Sequence, residues 1–285
     1  MRTANLLLIL STLACGHAAP APTTLTVAEA PNGLWWDSGS RTLFIADEAS
    51  GRVVGWRDDG TAPAAVIPDG KKSGLGQVVR LADGTLVVPR FGHGEDGAII
   101  VLAPDGSAHA VGGLSSKRRR IGLAPAAGGK VYSAWFDKEG ERSTGGVSEV
   151  SLAGGERDLA GGLEKPIGLA ISDGSLYVSD QATGAVLRCP TPDYARFEPV
   201  AKVAAPDLLA PGPGGAVLVA SKSAGVTLVC PDGHSRNLVA AVAATRGVAY
   251  DSASHRLFVV EHEAKRSTLR VVPMNIGDRP CAVSP

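Results

Sequence analysis

Three runs near the start of the mature sequence decide the fold: Pro31-Asn32-Gly33-Leu34-Trp35-Trp36-Asp37, Thr42-Leu43-Phe44-Ile45-Ala46-Asp47 and Arg52-Val53-Val54-Gly55-Trp56. Each is short, apolar and bounded by Gly, Asp or Ser, so each reads as a strand ended by a turn. A fourth run, Ala64-Ala65-Val66-Ile67, follows the Asp58-Asp59-Gly60 turn. Asp-Gly supplies the positive φ that a tight hairpin needs. The unit is therefore four antiparallel strands in about forty residues.

The unit recurs. Its opening returns at Gln77-Val78-Val79, Gly122-Leu123-Ala124, Gly168-Leu169-Ala170, Leu208-Leu209-Ala210 and Gly247-Val248-Ala249. From Gly33 through Gln77, Gly122, Gly168 and Leu208 to Gly247 the steps are 44, 45, 46, 40 and 39 residues. A period of this length with four short strands per unit predicts a six-bladed, all-β propeller. The sixth unit stops after its third strand, Thr268-Leu269-Arg270-Val271-Val272. Leu25-Thr26-Val27-Ala28 is available to complete it, closing the ring and removing an open edge. The expected propeller runs over 24–273, with a tail over 274–285.

The first 18 residues read as an export signal: Arg2, an apolar run from Leu6 to Leu10 and on to Ala14, then small residues. Two cuts compete. One lies before Cys15, in Leu13-Ala14-Cys15-Gly16, which would make Cys15 a lipidated first residue and a membrane tether; the other follows Ala18. The expected location is the periplasm, free or lipid-anchored. Beyond the signal stand Cys189, Cys230 and Cys281, an odd number whose pairing the sequence leaves open. With 28 basic and 28 acidic residues, the chain has no general field for nucleic acid.

In alternating strands, the start of each first strand and the end of each second strand share one face. That places Asn32, Gly76 with Gln77, Arg120 with Ile121, Ile167, Asp207 and Arg246 in one window around the channel. Asp47, Arg90, Trp135, Asp180, Ser221 and Glu261 with His262 fall in a second. The segments after Arg90 and Trp135 read as rims, and Lys117-Arg118-Arg119-Arg120 as an exposed loop between blades.

Pro31-Asn32-Gly33-Leu34, Leu43-Phe44-Ile45-Ala46-Asp47, Leu176-Tyr177-Val178-Ser179-Asp180 and Pro206-Asp207, taken in their six-fold register, resemble the SMP-30/gluconolactonase/LRE-like family. Single phrases are shared with NHL-type propellers. The resemblance implies a divalent metal such as calcium, held by a Glu, an Asn and an Asp, the Asp also serving a general base. Carried over, Asp207 matches the Asp, but Asn32 stands in the Glu slot, Ile167 in the Asn slot, and Arg120 with Ile121 in the third-blade polar pair. One carboxylate and one amide are a poor cage for a cation that takes about six oxygens. Nearby arginines would add repulsion of ~4 kcal/mol per contact at 4 Å. No metal or other cofactor is expected; Asn32 and Asp207 are remnants.

Asn32, Gln77, Arg90, Arg120, Asp180, Asp207 and Arg246 are the candidate ligand-binding residues. Guanidinium groups converging in a channel suit a small anionic ligand. Asp207 and Arg246 open adjacent units and could equally form a plain inter-blade ion pair, which makes Arg120 the better ligand candidate. Two rival functions stand beside anion binding. One is a lactone or ester hydrolase with Asp207 as base and an arginine at the oxyanion. The other is a scaffold for an envelope protein partner.

Overall fold

The computed structural model describes residues 21–67, 74–190, 196–241, 243–264 and 266–281, with backbone only over 61–66. The signal read over 1–18, with Cys15, lies outside the described residues, as do 282–285 of the tail. The described chain forms six four-stranded antiparallel sheets. Five are consecutive in sequence. The sixth takes the strands Ala244–Asp251, Arg256–Glu263 and Arg266–Pro273 and adds Thr23–Leu25, whose Leu25 pairs with Leu269 and Thr23 with Val271. The ring is closed as the missing outer strand predicts, but by Thr23–Leu25 rather than by Leu25–Ala28.

The core lies between blades. Ala46 and Val53 of the first blade pack with Val78, Val88 and Ile100 of the second, and equivalent clusters fill the other five junctions. Strand residues alternate between the two faces of a blade, so each blade contributes one apolar row to each neighbour.

The repeated opening is a kink in the first strand, where the pairing register slips in five of the blades. It is where neighbouring blades touch most closely around the axis. A Cβ on Gly168 would collide with the Asp207 carbonyl, and one on Gly247 with the Asn32 carbonyl. Glycine is required there by close backbone approach. In the second blade Gln77 takes that slot, and its side chain extends across the axis. Its Nε2 donates to the Leu169 and Leu209 carbonyls at 3.0 and 2.8 Å, while Oε1 accepts from the Leu123 and Leu169 amides at 3.4 and 3.5 Å. Gln77 thus bolts four blades together. The space on its far side, against Trp35, shrinks to cavities of about 60 and 30 Å³.

One expectation needs correcting here. Lys117 is exposed, as a loop between blades requires, but Arg119 begins the strand Arg119–Ala126 and Arg120 is fully buried. The cysteines pair as Cys230–Cys281, fastening the tail to the fifth blade, while the Cys189 thiol is buried.

Candidate functional site

The backbone pairing places the site. Pro31 faces Asp47, Leu75 faces Arg90, Arg120 faces Trp135, Pro166 faces Asp180, Pro206 faces Ser221 and Thr245 faces Glu261. Residues on either side of each pair point to the opposite face. One step on, the first strands supply an inner ring at the channel mouth: Asn32, Gly76, Ile121, Ile167, Asp207 and Arg246. One step beyond the second strands come Glu48, Phe91, Phe136, Gln181, Lys222 and His262.

Contacts tie the two rings together. Asn32 Nδ2 donates to Glu48 Oε1 and to the Leu75 carbonyl, both at 2.7 Å. Arg246 lies 3.9 Å from Glu48. Lys222 lies 3.5 Å from Asp207, and Gln181 Nε2 donates to Asp207 at 3.4 Å. Phe91 and Ile121 pack on Phe136, Ile167 and Leu208. Arg119 and Lys165, two residues before Ile121 and Ile167, border the same wall, with Arg119 near the faces of Phe91 and Phe136 and Lys165 near Phe136. A cavity of about 310 Å³ opens between Asn32, Glu48, Leu75, Phe91, Ile121 and Arg246.

The mouth has two halves. Blades two to four give Phe91, Ile121, Phe136 and Ile167, an apolar wall edged by Arg119 and Lys165, and blades five, six and one give Asp207, Lys222, Arg246 and Glu48. Four cations, Arg119, Lys165, Lys222 and Arg246, stand against two carboxylates, Glu48 and Asp207. Burial raises the Asp207 pKa, with Lys222 and Arg246 only partly opposing it. Burial raises Glu48 as well, opposed chiefly by Arg246. Burial, reinforced by Lys222, lowers Lys165.

Of the expected ligand residues, Asn32, Asp207 and Arg246 meet at the mouth. Four do not. Arg120 turns into its own blade, where its guanidinium donates to both Glu156 oxygens at 2.8 and 2.9 Å. Asp180 accepts the Glu164, Lys165 and Ala182 amides, as Asp47 accepts those of Glu29, Ala30 and Ala49. Arg90 is buried and donates to the Asp96 carbonyl at 3.0 Å. Arg120, Asp180 and Arg90, like Asp47, sit on the paired positions themselves, one residue from the channel-facing register. Gln77 is spent on carbonyls and amides of other blades. The Asp207–Arg246 ion pair, the alternative to ligand binding for these two residues, is replaced by Asp207–Lys222 and Arg246–Glu48. Glu48, Phe91, Phe136, Gln181 and Lys222 were missed because the second window was set one residue early. The signal that finds them is the period-two alternation beyond each strand end.

The divalent site implied by the resemblance does not fit these side chains. Ile167 offers no donor, Arg120 faces away, and Asp207 is flanked by Lys222 and Arg246, whose charge opposes a second cation. Among the described residues no group of three or more His, Cys, Asp or Glu side chains is placed to hold a metal.

No family model matches the chain, and no curated protein matches its sequence. Solved structures do. A gluconolactonase from Xanthomonas campestris superposes with a TM-score of 0.71 at 24% identity, covering 88% of this chain and 89% of that one. A luciferin-regenerating enzyme gives 0.67 at 14%, covering 89% and 95%. A calcium-binding protein, regucalcin, from Agrobacterium tumefaciens gives 0.66 at 14%, covering 87% and 92%. The chain therefore has the six-bladed propeller fold of the SMP-30/gluconolactonase/LRE-like proteins.

Proposed function

We propose that this chain is an exported propeller, periplasmic or tethered through Cys15, that binds a small anionic ligand at the channel mouth. The observation that carries the reading is the Arg246 side chain: its Nε is buried with no hydrogen-bond partner among the described residues, and its carboxylate neighbour stands at 3.9 Å. A buried donor of this kind is costly to leave unpaired and gains from a charged acceptor. Arg119, Lys165 and Lys222 add to the attraction. Export is supported by the Cys230–Cys281 disulfide, a bond that persists in oxidising compartments.

A hydrolase for lactones or esters is the second reading, favoured by one feature: Asp207 is a buried carboxylate with a raised pKa across from Arg246, suited to take a proton. It requires turnover as well as binding.

The test compares melting temperatures with carboxylates, phosphates and the matching amides. Acids should raise the melting temperature and amides should not. Arg246→Gln should weaken acid binding about ten- to hundredfold, the value of a lost charge-assisted hydrogen bond. Equal shifts for acids and amides would remove the reading and favour the protein-interaction scaffold.

A further inference from the structure

Resting on that anion-binding reading, we infer that the ligand is a hydroxy acid with an apolar body: one acid group, one hydroxyl, and a hydrocarbon or aromatic remainder.

The hydroxyl follows from Asn32. This side chain is buried, with 3% of its surface exposed, and it lines the cavity. Its amide orientation is fixed, because both neighbours, Glu48 Oε1 and the Leu75 carbonyl, are acceptors and take the two N–H groups. Oδ1 is thereby left with no partner among the described residues. A buried carbonyl oxygen in that state calls for a donor. An acid group alone, being acceptor-only when ionised, cannot supply it.

Glu48 brings the two side chains to one place. One of its oxygens accepts from Asn32 Nδ2 at 2.7 Å and the other faces Arg246 Nη1 at 3.9 Å. Asn32 and Arg246 therefore flank one carboxylate and line the same cavity. A single ligand in that cavity can serve both.

The apolar body follows from the opposite wall. Leu75, Phe91 and Ile121 line the same cavity, and Phe136 and Ile167 back them. Only His93, edge-on to Phe91, offers a side-chain hydrogen-bond partner on this wall among the described residues, too few for a sugar chain. A polyhydroxylated chain laid there would lose its water without replacement, whereas a hydrocarbon gains from leaving water.

Calorimetric titration of the full chain with four probes tests this: 3-phenyllactate, 3-phenylpropionate, gluconate and 3-phenyllactamide. Phenyllactate should bind about tenfold tighter than phenylpropionate, the worth of one buried hydrogen bond, and tighter than gluconate. Asn32→Ala should erase the difference between the first two while both still bind. As a control in the native protein, the methyl ether of phenyllactate, which has no O–H to donate, should fall to the affinity of phenylpropionate if the gain is specific to Oδ1. Gluconate binding best, or phenylpropionate equalling phenyllactate in the native protein, would overturn the ligand class while leaving anion binding intact. The amide matching the acids, or no probe binding, would sink both.

Discussion

Arg120 is a fully buried charge joined to Glu156, which also takes Arg118 at 2.9 Å and the Ser148 hydroxyl at 3.1 Å. Arg118 reaches on to Asp158 and lies 3.6 Å over the Trp135 ring. Burial lowers the Arg120 pKa, while Glu156 opposes that shift. Removing one member of such a network strands its partner, which costs more than the pair contributed. Arg120→Ala should lower stability by about 3 kcal/mol in a denaturant melt and leave acid binding at the mouth unchanged. Lost binding in a folded Arg120→Ala protein would return this residue to the site. At this scale one residue decides role: Arg120 builds the blade, and Ile121 beside it lines the channel.

The elements that close the molecule are its two ends. Thr23–Leu25 supplies the outer strand of the sixth blade, and Leu25 packs on the cluster of Leu34, Leu43 and Phe258. The tail crosses back under the fifth and sixth blades. There Ile276 is buried, Tyr250 donates to the Met274 carbonyl, and Cys281 reaches Cys230. The bond spans 51 residues of sequence. A cross-link of that span restricts the unfolded chain, so Cys281→Ser should cost about 2–4 kcal/mol. Urea melts with and without reductant check this: reductant should bring the native protein to the variant's midpoint. Coincident midpoints for native and variant under oxidising conditions would show that the tail holds without its bond.

For the whole molecule, two sets of carboxylates respond oppositely to pH. Glu156 and Asp47 have lowered pKa values: although burial opposes it, Arg120 and Arg118 outweigh that for Glu156, and Ser50 with backbone amides does so for Asp47. Their contribution is present above the ordinary values of 4.5 and 3.8 and is lost as pH falls through the folded values. Asp207 is raised, so the folded state holds its proton more tightly than the unfolded chain. Stability from this group is present below 3.8 and declines as pH rises through the folded value. Asp207→Asn should therefore raise the melting temperature at pH 7, with the gain shrinking toward pH 4. A gain that grows on acidification would mean that Lys222 and Arg246 outweigh burial.

The six-fold repeat, the turns and the closing strand were legible in the sequence, because short-range alternation and turn chemistry are written residue by residue. Asn32, Asp207 and Arg246 were legible as mouth residues for the same reason, each standing just before a repeated opening. The sequence by itself determined how many blades there are and that the mouth carries both charge and Ile167. Only the tertiary structure decided which of two adjacent residues faces the axis at each strand end. It also decided that Gln77 crosses the axis and that Glu156, 36 residues away, claims Arg120. The reason is that a strand reverses its side chains at every step, so an error of one position inverts a face. Partners drawn from other strands and blades are fixed by packing that no local spacing records.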